Sequence, residues 1–134
     1  MLKYNPPRGF SLIEMMVTLV ILAILIVIAL PNYSRYVLKS HRSDGMAMLN
    51  EIMQAQERYA AANNTYVTTL STLGYAESQL SPEGHYLITA GSCATGGVTA
   101  CVKLTATAVG NQANDKNNHN GNLSLTSRGS KEGW

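Results

Sequence analysis

An apolar run of 21 residues, positions 10–30, constrains this chain more than any other part of its sequence. Its polar members are Ser11, Glu14 and Thr18. A helix of this length spans roughly 30 Å at about 1.5 Å per residue, which matches the hydrocarbon core of a bilayer. The run is longer than the ~7–15 apolar residues of a secretory signal, and Pro31 follows it directly. The sequence therefore predicts a membrane-spanning helix, for which a plain single-pass anchor is the simplest interpretation.

Glu14 is the feature that a plain anchor does not explain. A carboxylate inside a membrane helix costs about 2–3 kcal/mol on insertion scales unless it reaches water or a partner. Two interpretations stay open: the side chain reaches the membrane interface, or it pairs with a cation at the same depth. Cleavage between Gly9 and Phe10 would create an α-amine a few residues away. Because the amine of one chain would neutralise Glu14 of a neighbour in a helix bundle, the second interpretation makes Glu14 an assembly residue.

The stretch RGFSLIEMMVTLVILAILIVIALPNY, which begins at Arg8, closely resembles the N-terminal signal of type IV pilins of the type IVa class. Pseudopilins share this leader. A short basic leader ends at Gly9, and Phe10 follows it. Glu14 is the fifth residue after the junction, and Pro31 falls where the family has a helix-bending proline. The resemblance implies cleavage after Gly9, N-methylation of Phe10, and assembly through the helix with Glu14 and Pro31.

The same resemblance implies an α+β fold, in which a long N-terminal helix packs on a small antiparallel β-sheet and its first half is transmembrane. The expected segments are a leader at 1–9, a membrane and filament-core helix at 10–31 and an amphipathic helix at 32–63. An αβ-loop at 64–84 and a sheet with a C-terminal loop at 85–134 complete the chain.

The amphipathic helix is also predicted by the sequence itself, because apolar side chains recur at spacings of three and four. They are Tyr33, Tyr36, Val37, Met48, Leu49, Ile52, Met53, Tyr59 and Ala60, and we expect them to form one packing face. Gly45 interrupts this stripe, and a glycine inside a helix costs about 1 kcal/mol relative to alanine. We therefore expect a bend or a loosened turn at Gly45, a solvated His41 without a role, and a helix end at residues 63–64.

Three later segments have the pattern of strands. Residues 85–91 alternate partly between apolar and polar side chains, and residues 98–109 alternate well. The second segment places Val102, Leu104, Ala106 and Ala108 on one face. Residues 122–127 place Leu123 and Leu125 on one face of a third strand. Because Gly96 and Gly97 lie between the first two segments, we expect a turn there and an antiparallel hairpin.

Cys93 and Cys101 flank this turn, so their side chains are expected to meet across the hairpin. The resemblance places the domain outside the cytoplasm, where disulfides persist, and a disulfide is therefore favoured over two free thiols. Two cysteines without further ligands do not make a zinc site. Type IV pilins usually close a C-terminal loop with their cysteines, whereas this pair lies in the middle of the domain.

The remaining polar segment, residues 110–122, is rich in asparagine and is expected to be a solvated loop. A calcium loop of the EF type needs several regularly spaced carboxylates or amides and a later glutamate. Asp115 is the only carboxylate in the segment, which disfavours calcium. We expect no metal and no other cofactor. Trp134, at the end of the chain, is expected to pack on an edge of the domain.

Charge and motifs exclude some functions. The formal net charge is +2, and Lys3 and Arg8 contribute both charges, which leaves eight basic and eight acidic side chains from residue 10 onward. This balance disfavours nucleic acid as a partner. The sequence has no Ser/His/Asp grouping, no carboxylate pair and no nucleotide-binding motif, so we expect a protein that is not an enzyme.

The expected function is that of a structural subunit of a type IV pilus. The resemblance implies a single-pass inner-membrane protein with a periplasmic C-terminal domain that later joins an extracellular filament. Its implied partners are other pilin subunits, prepilin peptidase and the inner-membrane assembly machinery. The chain without its leader has 125 residues (134 minus 9), and the ending GNLSLTSRGSKEGW resembles PilE-like minor pilins, which favours a minor over a major subunit. Two alternatives stay open: a pseudopilin of a type II secretion system, and a DNA-receptor pilin for natural transformation.

Overall fold

A computed structural model describes residues 9–116 and 119–134 of the chain. It contains a 52-residue helix α1, Leu12–Asn63, followed by a five-stranded antiparallel sheet. This is the predicted α+β class. The chain divides into two compact units, of which the first ends at Arg35 and the second is Tyr36–Trp134. The expected leader lies almost entirely outside the described residues, because the description begins at Gly9.

The sheet follows the order of the sequence. Its strands are β1 Gln79–Leu80, β2 Tyr86–Ser92, β3 Val102–Ala108, β4 Leu123–Thr126 and β5 Lys131–Glu132. Every neighbouring pair is antiparallel, and the longest pairing joins β2 to β3 from Tyr86 opposite Ala108 to Ser92 opposite Val102. The predicted strands at 85–91 and 122–127 correspond to β2 and β4. The sequence pattern did not reveal the edge strands β1 and β5, because two residues are too few to show alternation.

The connection between β2 and β3 is longer than the turn that the two glycines predicted. A short helix α2, Gly97–Ala100, occupies the first part of the segment for which we expected a strand. Gly96 and Gly97 have positive φ angles of 97° and 62°, which glycine adopts without steric cost. The alternation is confirmed from Val102 onward, since Val102, Leu104 and Ala106 are fully buried.

One face of α1 and one face of the sheet form the core of the second unit. Met48, Leu49 and Ile52 are the central helix residues of this core, and Leu49 and Ile52 are fully buried. The sheet contributes Tyr86, Ile88, Val102, Leu104, Ala106, Leu123 and Leu125. The predicted packing face is thus confirmed for Met48, Leu49, Ile52 and Met53, whereas Tyr59 and Ala60 are half-buried and lie outside the core cluster.

The first half of the stripe does not belong to this core. Tyr36, the first residue of the second unit, is 72% exposed, so the prediction that it packs against the sheet is wrong. Tyr33 belongs to the first unit and is 67% exposed. Helical spacing identifies the face on which a side chain lies. It does not identify the length over which the sheet covers that face.

Gly45 lies within α1, which is continuous from Leu12 to Asn63, and the predicted loosened turn is absent from this described element. A Cβ atom at Gly45 would lie 2.8 Å from Cδ2 of Tyr86 and 2.9 Å from Cδ1 of Leu123. Both of these side chains are in the core. The glycine therefore serves close packing of helix and sheet, and this packing offsets its low helix propensity.

The helix ends where the sequence indicated. Asn63 is the last residue of α1, and Asn64 has a φ of 55°. Asparagine adopts this left-handed conformation more readily than most residues. The following loop contains a 3-10 helix at Leu70–Leu73 and is attached to α1 by Gln56, whose amide group exchanges two hydrogen bonds with the backbone of Val67.

Candidate functional site

The N-terminal unit presents an apolar surface that the chain itself leaves uncovered. Its large apolar side chains between Phe10 and Leu30 are 49–80% exposed. The most apolar 18-residue window of α1 has a mean hydropathy of 3.0, and none of it is buried. Water-exposed apolar surface of this extent is costly, at about 25 cal/mol per Å². The segment is therefore suited to an apolar environment, such as lipid or the apolar faces of other helices.

Glu14 lies in the first turn of α1. Its backbone N–H donates to Ser11 O at 3.1 Å, and its carbonyl accepts a hydrogen bond from Thr18 Oγ1 at 2.6 Å. Within residues 9–116 and 119–134, no hydrogen bond or ion pair satisfies its carboxylate. An acidic side chain in a first helical turn interacts favourably with the helix dipole. Gly9 and Phe10 precede the helix and are exposed, and Phe10 is 80% exposed.

Pro31 lies inside α1 and does not end it. A proline has no backbone N–H, so the carbonyl four residues earlier, at Val27, receives no hydrogen bond from it. The neighbouring polar side chains of Asn32 and Ser34 donate to the carbonyls of Ile28 and Leu30, each at 3.2 Å. Such side-chain bonds help to satisfy backbone groups around a proline within an apolar helix.

Cys93 and Cys101 form a disulfide, as expected, with their Cα atoms 5.5 Å apart. The bridge closes the connection that carries α2, and Cys101 is fully buried. The backbone N–H of Tyr66 donates to Val98 O at 3.1 Å, so the closed loop is also bonded to the segment that follows α1.

A polar cluster connects α1 to the 3-10 helix Gly110–Asn114 and to Asp115 after it. The Arg42 guanidinium donates to both carboxylate oxygens of Asp115, at 2.6 Å and 2.8 Å. The exposed fractions of these two side chains are 15% and 7%. Hydrogen bonding to Asp115 raises the pKa of Arg42 above its usual value, and burial opposes this effect. A bidentate, partly desolvated pair of this kind is strong and directional.

Gln112 is the centre of the cluster and is 2% exposed. Its Nε2 donates to Leu38 O at 2.8 Å, to Tyr86 Oη at 2.9 Å and to Asp115 Oδ2 at 3.4 Å. Burial raises the pKa of the Tyr86 phenol, and the hydrogen bond from Gln112 opposes this shift. The expectation that residues 110–122 form a solvated loop is therefore wrong for Gln112 and Asp115. Residues 117 and 118 of that segment lie outside the described residues.

Two histidines extend the cluster. The rings of His41 and His85 stack with their centroids 3.8 Å apart and an angle of 11° between their planes. His41 Nδ1 lies 3.3 Å from Gln112 Oε1, and His85 Nε2 lies 3.5 Å from a carboxylate oxygen of Glu83. The expectation that His41 is solvated is wrong, because the side chain is half-buried and folding brings His85 beside it.

The C-terminal residues lie at the β5 edge of the sheet. Trp134 Nε1 donates to Ser124 O at 2.9 Å, and the ring packs against the core, which confirms its expected place at a domain edge. Lys103 and Glu132 form an exposed ion pair at 2.8 Å. Hydrogen bonds from Lys103 and then from Ser124 lower the pKa of Glu132.

Sequence reasoning identified the N-terminal segment and the disulfide but missed the polar cluster. Arg42 and Asp115 are 73 residues apart, and His41 and Gln112 are 71 residues apart. No short-range spacing indicates such pairs. One signal in the sequence could have indicated the cluster: Arg42, Asp44 and Gly45 interrupt an otherwise apolar helix face. Charged residues on such a face indicate a polar contact with another element.

Two family models match the chain. The model described as "Type IV minor pilin ComP, DNA uptake sequence receptor" matches residues 31–124. The model described as "Prokaryotic N-terminal methylation motif" matches residues 5–30. Together they cover both the N-terminal segment and most of the second unit.

Curated relatives have matching descriptions. The chain is 30% identical over 93 residues to the "Type IV major pilin protein PilA" of Myxococcus xanthus, across 68% of this chain and 42% of that protein. It is 29% identical over 105 residues to the "Fimbrial protein EcpC" of Eikenella corrodens, across 78% of this chain and 69% of that protein. It is 32% identical over 66 residues to the "Type IV wide pilus major component PilA4" of Thermus thermophilus, across 49% of this chain and 50% of that protein. The chain thus spans about two fifths to two thirds of the length of these relatives.

Proposed function

Because this chain belongs to the family of type IV minor pilins whose model is described as ComP, DNA uptake sequence receptor, we propose that it enters the pilus as a minor subunit after cleavage following Gly9 and methylation of Phe10. Prepilin peptidase performs both steps, and the inner-membrane assembly machinery then extracts the subunit. The single observation that carries this proposal is the uncovered apolar surface of α1 between Phe10 and Leu30. Before assembly lipid covers this surface, and in the filament neighbouring helices cover it.

Glu14 has a specific role in this proposal. The new α-amine of Phe10 has an ordinary pKa near 8 in model peptides and is therefore mostly a cation near neutral pH. In a filament the amine of one subunit neutralises the Glu14 carboxylate of its neighbour, which removes the cost of an unpaired charge among apolar helices. The exposed Glu14 carboxylate supports this role.

The proposed topology follows from the same segment. The N-terminus is cytoplasmic and the second unit, Tyr36–Trp134, is periplasmic before it becomes part of an extracellular filament. The disulfide between Cys93 and Cys101 supports this placement, since disulfides persist outside the cytoplasm. The curated relatives carry pilin or fimbrial names, which supports a pilus over a type II secretion pseudopilus.

Mass spectrometry of filaments sheared from the cells that make this protein tests the proposal. We expect a low-abundance chain that begins with N-methylated Phe10, at a small fraction of the amount of the main subunit. The membrane fraction of a strain without prepilin peptidase is the matched control and retains residues 1–9 on the chain. A chain that keeps residues 1–9 in wild-type membranes and is missing from filaments would contradict the proposal. An abundant filament chain would make it a major subunit instead.

A second candidate function, DNA binding, is favoured by the words "DNA uptake sequence receptor" in the description of the matching family. Against it stands the equal number of basic and acidic residues from residue 10 onward, eight of each. The exposed cations of the second unit include Lys116, Arg128 and Lys131. A receptor contacts phosphates through such side chains, and its affinity for DNA falls with the logarithm of salt concentration.

A gel-shift titration of the full-length protein in detergent against sheared chromosomal DNA from the same organism tests this second function. We expect binding that weakens with salt, and the Lys116→Gln variant is expected to reduce the slope of log affinity against log salt by about one. Arg58→Gln, on the exposed part of α1, is the matched control and leaves the slope unchanged. No binding at low salt, or binding without salt dependence, would contradict the DNA-receptor function and leave the pilus subunit unaffected.

A further inference from the structure

The hydrogen bond between His41 and Gln112 has a defined donor and a defined acceptor. Gln112 Nε2 is occupied as a donor to Leu38 O, Tyr86 Oη and Asp115 Oδ2. Its Oε1 is therefore the acceptor in the 3.3 Å contact with His41, and His41 Nδ1 is the donor. This bond persists whether His41 is neutral or charged, because Nδ1 carries hydrogen in both forms. Protonation of His41 thus adds a charge at Nε2 without breaking the bond to Gln112.

The stacking geometry favours proton chemistry over metal binding. Imidazole lone pairs lie in the ring plane, and the two planes are inclined by only 11°. Lone pairs of nearly parallel rings point alongside each other and do not converge on one ion. Among the residues that the structure describes, no group of three potential ligands is arranged to hold a metal. Protonation does alter the stacked rings, because imidazole is the side chain that gains a proton, and with it a positive charge, between about pH 8 and 5.

The charged groups around the stack accommodate one proton better than two. Glu83, in the loop before β2, has a carboxylate oxygen 3.5 Å from His85 Nε2, so it forms an ion pair with His85 when that ring carries the first proton. Two other carboxylates have partners: Asp115 pairs with Arg42, and Asp44 accepts hydrogen bonds from Ser81 Oγ and from the backbone N–H of Glu83.

Arg42 and Tyr86 supply no negative charge to balance a second proton on the rings. Arg42 is itself a cation next to His41 in the sequence, and the Tyr86 phenol is a neutral group that burial disfavours as an anion. A second proton therefore places two cations face to face at a centroid distance of 3.8 Å.

We propose that the His41–His85 stack is a proton-sensitive latch, which keeps residues 110–115 docked on α1 while at most one ring is charged and releases them when both are charged. This regulatory device goes beyond the proposed pilus function and is independent of it. Ring repulsion reaches Gln112 directly through the contact of His41 Nδ1 with Gln112 Oε1. Gln112 bonds this segment to Leu38 of α1 and to Tyr86, beside the ion pair of Asp115 with Arg42. Because the docked state binds fewer protons than the released state, docking weakens as pH falls.

Hydrogen exchange of the full-length protein in detergent micelles tests the latch. The reporter amides are Gln112 N–H and Asp115 N–H, which donate to Val109 O at 3.2 Å and to Gln112 O at 3.0 Å. Leu104, in the central strand β3, gives the reference amide. Relative to this reference, we expect protection of the reporters to fall about tenfold between roughly pH 7.5 and 5, the range in which imidazole gains its proton.

Two variants separate the latch from general acid sensitivity. His85→Phe keeps an aromatic ring for stacking but cannot be charged, so it is expected to retain protection at neutral pH and to lose the pH response. His119→Phe changes the third histidine and is the matched control, which keeps the wild-type response. Reporter protection that is independent of pH in the wild type, or an unchanged response in His85→Phe, would overturn the latch.

Imidazole resonances of the wild-type protein give a readout that does not depend on how the variants fold. The ring-current shifts that stacking gives the ring protons of His41 and His85 are expected to be lost together with reporter protection as the pH falls. Stacking shifts that persist unchanged down to about pH 5, where imidazole carries its proton, would also overturn the proposal.

Discussion

Replacing Glu14 by glutamine is expected to reduce the amount of this chain in sheared filaments by about tenfold or more, while its amount in membranes stays the same. The side chain keeps its size but loses the charge that, in the proposed filament, neutralises the α-amine of a neighbouring Phe10. An unpaired ammonium group among apolar helices is costly, and a tenfold change corresponds to about 1.4 kcal/mol. Quantitative mass spectrometry of filament and membrane fractions measures the ratio.

Ser11→Ala is the matched control for this prediction, because Ser11 is a polar residue of the same exposed segment and carries no charge. Its incorporation into filaments is expected to equal that of the wild type. N-methylation of Phe10 in the Glu14→Gln chain has to be checked in the same spectra, so that a maturation defect is distinguished from an assembly defect. Equal incorporation of both variants would remove Glu14 from the assembly mechanism.

Replacing Arg42 by methionine is expected to destabilise the second unit by about 3 kcal/mol. The change leaves the Asp115 carboxylate, whose side chain is 7% exposed, without its bidentate partner. Loss of one partner of a buried ion pair typically costs about 3–5 kcal/mol, and the partial exposure of Arg42, at 15%, places the effect at the lower end. Trp134 is the only tryptophan and packs against the core, so its fluorescence during urea unfolding in detergent measures the loss.

The double variant Arg42→Met with Asp115→Leu is expected to recover most of this stability, because it removes both charges together. Lys103→Met is the matched control. It breaks an ion pair with Glu132 that is largely exposed, and surface pairs contribute little, so we expect no measurable loss. An Arg42→Met variant as stable as Lys103→Met would show that the helix and residues 110–115 are held together by other contacts.

Local patterns in the sequence were sufficient for several elements. Alternation over 98–109 identified the buried face of β3, and the positions of Leu123 and Leu125 identified β4. The cysteine spacing around two glycines, together with the placement outside the cytoplasm that the pilin resemblance implied, predicted the disulfide. These features were predictable because each depends on neighbours in sequence: pleat geometry, turn formation and the closure of a short loop.

Other features depended on which elements meet. Gly45 looked like a helix weakness and is a close contact with Tyr86 and Leu123. Asp115 looked like a loop residue and is bound by Arg42. In each case the residue type is explained by a partner more than 35 positions away, and a single sequence contains no signal for such a partner.

The sequence by itself determined the apolar helix, its lone carboxylate at Glu14 and the main strands, because hydrophobic length and periodicity act along the chain. The α+β class was implied by the resemblance of the N-terminal segment to pilins. Only the tertiary structure decided where the packing face of α1 begins, why a glycine lies in its middle, and that His41, Arg42, Gln112 and Asp115 form one cluster with His85. The physical reason is that a buried polar group requires a partner. The partner is set by the way the sheet docks on the helix, which no local pattern records.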